Sequence, residues 1–195
     1  MLKEKLSDYN LILASGSPRR QQFFEELGLE FEIRLKSIEE QYPDKLTGAE
    51  ITDYLAQLKA AAFKTELETG DILITSDTIV SLDGQALGKP RDPQHAREMI
   101  KSLCAKTHEV ITSVCFTTTE KQHTVNSTTR VRFSRLTDEE IDFYVNEFRP
   151  FDKAGAYGIQ EWIGLIGIEY IEGSYFNVVG LPTHLVYKTL KAFTE

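Results

Sequence analysis

The stretch Leu11-Ile12-Leu13-Ala14-Ser15-Gly16-Ser17-Pro18-Arg19-Arg20 decides how the chain is read. Its apolar run predicts a buried strand that ends in small residues and turns straight into a helix. Ser17 stands where an N-cap belongs, and Pro18 where a first helical residue tolerates a missing N–H. The short side chains leave backbone N–H groups accessible at the helix start, where the macrodipole is positive. Arg19 and Arg20 add planar, permanently charged donors suited to phosphate oxygens. The corner reads as a cradle for an anion, with a well-capped structural turn as the plainer alternative. It is not a Walker P-loop, because no Gly-Lys-Ser/Thr closes the turn, and it lacks the three spaced glycines of a dinucleotide fingerprint.

A chain of 195 residues can enclose one sizeable core, so a single domain over 1–195 is expected. Lys plus Arg number 22 against 30 Asp plus Glu, a net charge of -8. Such a surface repels polyanions and argues against a nucleic-acid polymer as partner. A small anionic ligand can still bind where cations are concentrated or a metal bridges it. Met1 to Asn10 is charged and has no apolar core, and no apolar run approaches a membrane span. Neither a signal peptide nor a membrane is expected. Cys104 and Cys115 have neither CxxC nor zinc spacing and read as reduced structural thiols of a cytoplasmic protein. His95, His108, His123 and His184 are scattered without ligand spacing and read as surface or capping residues.

Outward from the opening corner, the first helix should stop near Gly28, and Leu29 to Leu35 alternates like a strand. Ser37 to Leu46 is polar and carries Glu39-Glu40. Thr47-Gly48-Ala49-Glu50 is a capping box before a helix with Ile51, Tyr54, Leu55, Leu58 and Ala62 on its apolar stripe. Lys59 lies at the edge of that stripe, where its stem can be buried while its ammonium reaches a cleft. Ile72 to Ser76 is a second apolar strand, with Asp77-Thr78 at or near its carboxyl end. Ile79 to Leu82, Asp83-Gly84 and Gln85 to Leu87 predict a hairpin. Asp92-Pro93 caps a helix with Ala96, Met99, Ile100 and Leu103 inward, and two long alternating strands follow at about 107–118 and 123–135. Thr137 to Glu140 is a second capping box, opening a helix with Ile141, Tyr144, Val145 and Phe148 inward. Ile163 to Ile171 reads as a strand, and Leu181-Pro182 starts a last helix with Leu185, Val186, Leu190 and Phe193 inward. Strands and helices intermingle, and the long hairpins disfavour a purely parallel sheet. A mixed α/β fold follows, with a central sheet and flanking helices.

Three further features carry chemistry. Asp77, at the end of a core strand, stands where α/β proteins place catalytic groups, although Asp-Thr is equally a turn former. Lys89, bounded by Gly88 and Pro90, reads as a phosphate contact, with a solvated charge as the plainer alternative. In Asp152 to Gln160, glycines and alanines let the backbone approach a ligand closely. There Asp152 offers a metal carboxylate and Gln160 an amide able to read a base edge. The alternative for this segment is a tight crossover loop with a solvated Asp-Lys pair.

Taken in order, these motifs resemble the Maf family of nucleoside triphosphate pyrophosphatases. The resemblance rests on Leu-Ala-Ser-Gly-Ser-Pro-Arg-Arg at 13–20, Glu39-Glu40, Leu58-Lys59-Ala60, Ser-Asp-Thr-Ile-Val at 76–80 and Gly-Lys-Pro at 88–90. It continues through Thr107-His108-Glu109-Val110, Asp152 to Gln160, Gly173-Ser174-Tyr175 and Val-Gly-Leu-Pro at 179–182. It implies an elongated, two-lobed mixed α/β fold with a deep cleft, of a kind often found as a homodimer. It also implies hydrolysis of a nucleoside triphosphate to the monophosphate and pyrophosphate with a divalent metal, Mg²⁺ or Mn²⁺. By the same resemblance Asp77 is the proton acceptor, and Arg19, Thr78 and Gln160 occupy the positions of base choice. Their combination is similar to that of the dTTP/UTP branch. Ser15, Arg20, Glu40, Lys59, Lys89 and Asp152 fall on the remaining polar cleft positions. Glu40, Asp77 and Asp152 are then the expected metal carboxylates, and Ser15, Arg20, Lys59 and Lys89 the phosphate contacts. Two stretches depart from the family pattern. Leu103-Cys104-Ala105-Lys106 stands where Ser-Gly is commoner, and Glu161-Trp162-Ile163-Gly164 replaces a glycine-rich stretch beside Gln160, which bears on substrate preference. Two other readings remain open: a pyrophosphatase of modified nucleotides, and a nucleotide-binding regulator of cell division with little turnover.

Overall fold

In the computed structural model, which describes residues 1–194, the opening apolar run is a strand whose Ile12 and Leu13 are fully buried. The first half of the chain runs α1 (Leu2–Lys5), β1 (Asn10–Leu13), α2 (Pro18–Glu26), β2 (Glu32–Ile33), α3 (Ala49–Ala61), β3 (Asp71–Leu82) and β4 (Gln85–Leu87). The second half runs α4 (Pro93–Leu103), β5 (Thr107–Thr117), β6 (Gln122–Phe133), α5 (Asp138–Phe148), α6 (Trp162–Gly167), β7 (Ile168–Glu172), α7 (Tyr175–Val179) and α8 (Thr183–Phe193). Strands pair in the order β2-β1-β3-β5-β6-β7, with β4 on β3. β1 is parallel to both β2 and β3, whereas the β3–β4 and β6–β7 pairs are antiparallel. The sheet is therefore mixed, as the alternation of helices and hairpins implies.

By contacts the chain divides into two compact units. One comprises Met1–Asp77, Thr112–Ser127 and Gly180–Glu195; the other comprises Thr78–Ile111 and Thr128–Val179. In the first, Ile12, Leu73 and Cys115 of the sheet pack on Ala56, Ala60 and Phe63. Two alanines on the inner face of α3 let that helix lie close to the strands, and Thr75 Oγ1 donates to the Ala56 carbonyl at 2.7 Å. In the second, α4 presents Ala96, Met99, Ile100 and Leu103 inward, as its periodicity predicts, and the Asp92 carboxylate accepts the His95 N–H at 2.8 Å. The capping box of α5 is complete: Thr137 Oγ1 accepts the Glu140 N–H and Glu140 Oε2 accepts the Thr137 N–H. The hairpin turn has Asp83 at φ 51° and Gly84 at φ 80°, the two left-handed positions that a two-residue turn of this twist requires.

Several expectations need correction. Ser17 is the N-cap of α2, but its side chain makes no capping bond; its N–H donates instead to Ser15 Oγ at 3.3 Å. α3 is capped by Gly48; Thr47 donates to Glu50 Oε2 from both its N–H and its hydroxyl, and the Glu50 N–H goes to the Thr47 carbonyl at 3.0 Å rather than to the hydroxyl. Its buried face is Ile51, Thr52, Leu55, Ala56 and Ala60, which leaves Tyr54 exposed. The stripe turns this way because the Thr52 hydroxyl finds that of Ser113 at 2.6 Å. Phe148 is also exposed, and Leu185 and Phe193 are only half-buried, with Thr189 taking an inner position. Of Leu29 to Leu35 only Glu32–Ile33 is strand. Residues 163–171 split, the first part helical and the second β7, because Ile163 and Gly167 share the buried side of a short helix. α7 was not expected at all. β5 does not alternate: it is buried on both faces from Val110 onward. Among the described residues no helix is long and apolar enough to cross a membrane, and both cysteines are free.

Candidate active site

The first unit gathers five of the expected residues around β3. The β1–β3 ladder extends to Ala14, whose N–H donates to the Ile74 carbonyl at 2.9 Å, and the chain then leaves the sheet at Ser15. Arg20 is close to the start of α2. Its Nε donates to the Gly180 carbonyl at 2.9 Å, and its Nη1 donates to the Ser76 carbonyl at 2.9 Å and reaches Ser15 Oγ at 3.5 Å. The guanidinium thus ties the opening corner, β3 and the chain entering α8 together. Much of its donor capacity therefore serves the fold, in addition to the phosphate contact expected of it.

From α3, Lys59 brings its Nζ within 2.6 Å of Asp77 Oδ1, 3.0 Å of Glu40 Oε1 and 3.4 Å of the Ser76 carbonyl. β3 does not end at Asp77. It continues to Leu82, with β5 beside it in the sheet and β4 paired to 80–82, so Asp77 is a mid-strand residue and 7% exposed. Burial pushes the Asp77 carboxyl above the usual carboxylate range, against the pull of the Lys59 and Arg20 cations; Glu40 adds a smaller upward push. A small cavity of about 130 Å³ lies at the same place, lined by Gly16, Leu35, Ile38, Glu40, Lys59 and Phe63 among others. A Cβ on Gly16 would meet only Leu35, at 3.9 Å, so the small residue keeps the corner's backbone open. The Ser76 hydroxyl is buried with no hydrogen-bond partner. The sequence assigns no role to the Ser76 and Gly180 carbonyls, since backbone acceptors leave no sequence signature.

Arg19 is half-buried on α2. The remaining expected residues belong to the second unit. Thr78 is half-buried, and Lys89, Asp152 and Gln160 are exposed. The Gly155 N–H donates to the Gly88 carbonyl at 3.0 Å, which ties the loop of Lys89 to the segment between Asp152 and Gln160. Of the Asp-Lys pair of that segment only Asp152 is solvated. Lys153 is buried, with its Nζ 2.8 Å from Asp152 Oδ1 and 3.0 Å from Glu161 Oε1. His108, expected at the surface, is 2% exposed, and its Nε2 lies 2.7 Å from Tyr157 Oη. Burial lowers its pKa to about 4.

For a metal, the donor chemistry within the first unit is a pair of carboxylates. Glu40 and Asp77 aim oxygens at one cationic point, now the Lys59 ammonium, and hard oxygen donors are what Mg²⁺ and Mn²⁺ take. That pair fits a divalent ion. Among the described residues no three His, Cys, Asp or Glu side chains form a ready metal cluster.

A family model described as "Maf-like protein" matches residues 10–193. The dTTP/UTP pyrophosphatase of Christiangramia forsetii is 58% identical over 191 residues, covering 98% of this chain and 97% of the relative. That of Flavobacterium psychrophilum is 58% identical over 187 residues, covering 96% of each chain. That of Porphyromonas gingivalis is 43% identical over 195 residues, covering 98% of each. Among solved structures, the Staphylococcus aureus Ham1 protein superposes with a TM-score of 0.55 over 94% of this chain and 99% of its own, at 14% identity, which is a likeness of fold.

Proposed function

Since the chain belongs to the Maf family by a match along nearly its whole length, we propose that it hydrolyses dTTP and UTP to the monophosphate and pyrophosphate, with Asp77 as proton acceptor. The observation that carries this reading is the buried Asp77 carboxylate held 2.6 Å from the Lys59 ammonium beside the strand–helix corner. Attack of water at the α-phosphate needs an acceptor for the water's proton and compensation for charge building on the departing pyrophosphate. Burial makes Asp77 a stronger base than an ordinary carboxylate, while the Lys59 and Arg20 cations pull in the opposite direction and favour the ionised form. The accessible N–H groups at the start of α2, with Lys59, Arg20 and Lys89, bind phosphate oxygens. Thr78 and Gln160, with Arg19, read the pyrimidine.

Glu40 and Asp77 would hold Mg²⁺ or Mn²⁺. Such an ion, when bound, acidifies water and neutralises phosphate charge. Ser15 keeps the corner in shape, with its hydroxyl accepting the Ser17 N–H and its carbonyl the Gln21 amide at 3.0 Å.

The test is pyrophosphate release from dTTP, UTP, CTP, ATP and GTP, each with Mg²⁺, with Mn²⁺ and with chelator. Release from dTTP and UTP that chelator abolishes is the expected result. A purine preference overturns the base assignment, and absence of turnover on every nucleotide overturns the enzyme reading.

A further inference from the structure

Tyr144, Lys153 and Glu161 form a buried polar cluster that the proposed chemistry does not use. Tyr144, on α5, is fully buried; its hydroxyl donates to Glu161 Oε2 and accepts the Gly158 N–H at 3.0 Å. The other carboxylate oxygen of Glu161 faces Lys153 Nζ at 3.0 Å, and the side chains of Lys153 and Glu161 are only 10% and 20% exposed. A buried ion pair is a poor source of stability, because desolvation offsets most of the attraction. It is a good source of definition, since each partner can rest in only one place.

What this cluster defines is the segment between Asp152 and Gln160. Lys153 holds its beginning, Gly158 its middle, and Glu161 follows its last residue. A Cβ on Gly158 would lie 2.9 Å from Glu161 Cδ and 3.0 Å from Lys153 Cε, so the ion pair fills the room any side chain would need. Ala156 is held at φ 59°, a left-handed conformation that persists only where the surroundings impose it. Tyr157 adds the contact with His108 on the other side.

We propose that Glu161, clamped between Tyr144 and Lys153, is a positioning residue that fixes the backbone of 158–160 and thereby sets how Gln160 meets the base. The proposal rests on the assignment of Gln160 to base reading made above. It acts through the backbone, so its signature is in KM and base preference; the chemical step at Asp77 does not depend on it.

Three variants of the full chain test it: Glu161→Ala, Glu161→Gln and Tyr144→Phe. Glu161→Ala should raise KM for dTTP and lower the dTTP-to-CTP ratio of kcat/KM by about tenfold each, the effect of one charge-assisted hydrogen bond, with kcat little changed. Glu161→Gln keeps an oxygen for the Tyr144 hydroxyl and should recover most of that loss. Tyr144→Phe removes the acceptor of the Gly158 N–H, so its amide exchange, followed by NMR, should speed up by about tenfold or more. A fall in kcat with the base ratio unmoved, a Gln variant no better than Ala, or an unchanged Gly158 exchange rate overturns the proposal. The two readings fail separately. A wild-type protein without pyrimidine turnover sinks the function assigned above, whereas wild-type turnover with a base ratio indifferent to Glu161→Ala sinks this one.

Discussion

Each unit of the molecule contains a nearly buried lysine set between two carboxylates, and the two arrangements differ in what they leave available. Lys59 stands between Asp77 and Glu40, and Lys153 between Asp152 and Glu161. In both, one carboxylate is largely buried and the other exposed. Asp77 sits on a strand, and Lys59 engages its Oδ1. Glu161 has a donor on each oxygen, Tyr144 on one and Lys153 on the other. A carboxylate capped on both oxygens is held in place and poorly suited to take a proton. One pinned by a single cation, with its proton affinity raised by burial, retains that capacity. On the functions proposed above, the same three residue types serve chemistry in one unit and backbone placement in the other.

The sharpest way to break this contrast is to remove a lysine. Lys59→Met leaves the buried Asp77 carboxylate without its nearest cation and should destabilise the protein by roughly 3–5 kcal/mol at neutral pH. Chemical denaturation should recover much of that loss in the double variant Lys59→Met/Asp77→Asn, which removes the orphaned charge. If Lys59→Met is as stable as the wild type, Lys59 does not stabilise a charge on Asp77.

A second test uses opposite signs of proton linkage. His108 is neutral in the folded chain down to about pH 4, while its unfolded imidazole titrates near 6.5. Between those values the unfolded state binds more protons, so stability falls as pH drops through the window, by about 3 kcal/mol across it. Asp77, with its pKa raised, works the other way: the folded state binds the extra proton, so its contribution declines as pH rises through its titration. His108→Phe should flatten the first slope in urea titrations at a series of pH values. An unchanged slope removes His108 from the account.

The smallest effect concerns helix starts. Thr137 makes a real capping bond on α5 and Ser17 makes none on α2. Thr137→Ala should lower stability by about 1 kcal/mol, whereas Ser17→Ala should be nearly silent. Equal losses in thermal unfolding would contradict the geometry described for the two caps.

What the sequence made legible were features with local rules. The caps at Asp92 and Thr137, the turn at Asp83-Gly84 and the inward face of α4 follow from residue chemistry within a few positions. Ser15, Arg20, Glu40, Lys59 and Asp77 do come together, although Arg20 shares its donors with backbone carbonyls. Illegible features depend on distant partners. Ser76-Asp77-Thr78 reads as a strand end because three polar residues interrupt an apolar run, yet the strand runs through them to Leu82, with β5 as a sheet neighbour and β4 paired at 80–82. His108 looks like an outward position of an alternating strand until Tyr157 and Phe133 close over it. The stretch 163–171 satisfies helix and strand periods alike, and packing of Ile163 and Gly167 decides the first part. Glu161 stood out only as an oddity beside Gln160, since its partners lie on α5 and at Lys153.

The most direct test is the turnover number of Asp77→Asn on dTTP with Mg²⁺, measured beside its thermal unfolding. Loss of a proton acceptor predicts a fall of about 10²- to 10⁴-fold in kcat with the fold intact. A variant that remains folded and turns over dTTP near the wild-type rate contradicts the role given to that carboxylate.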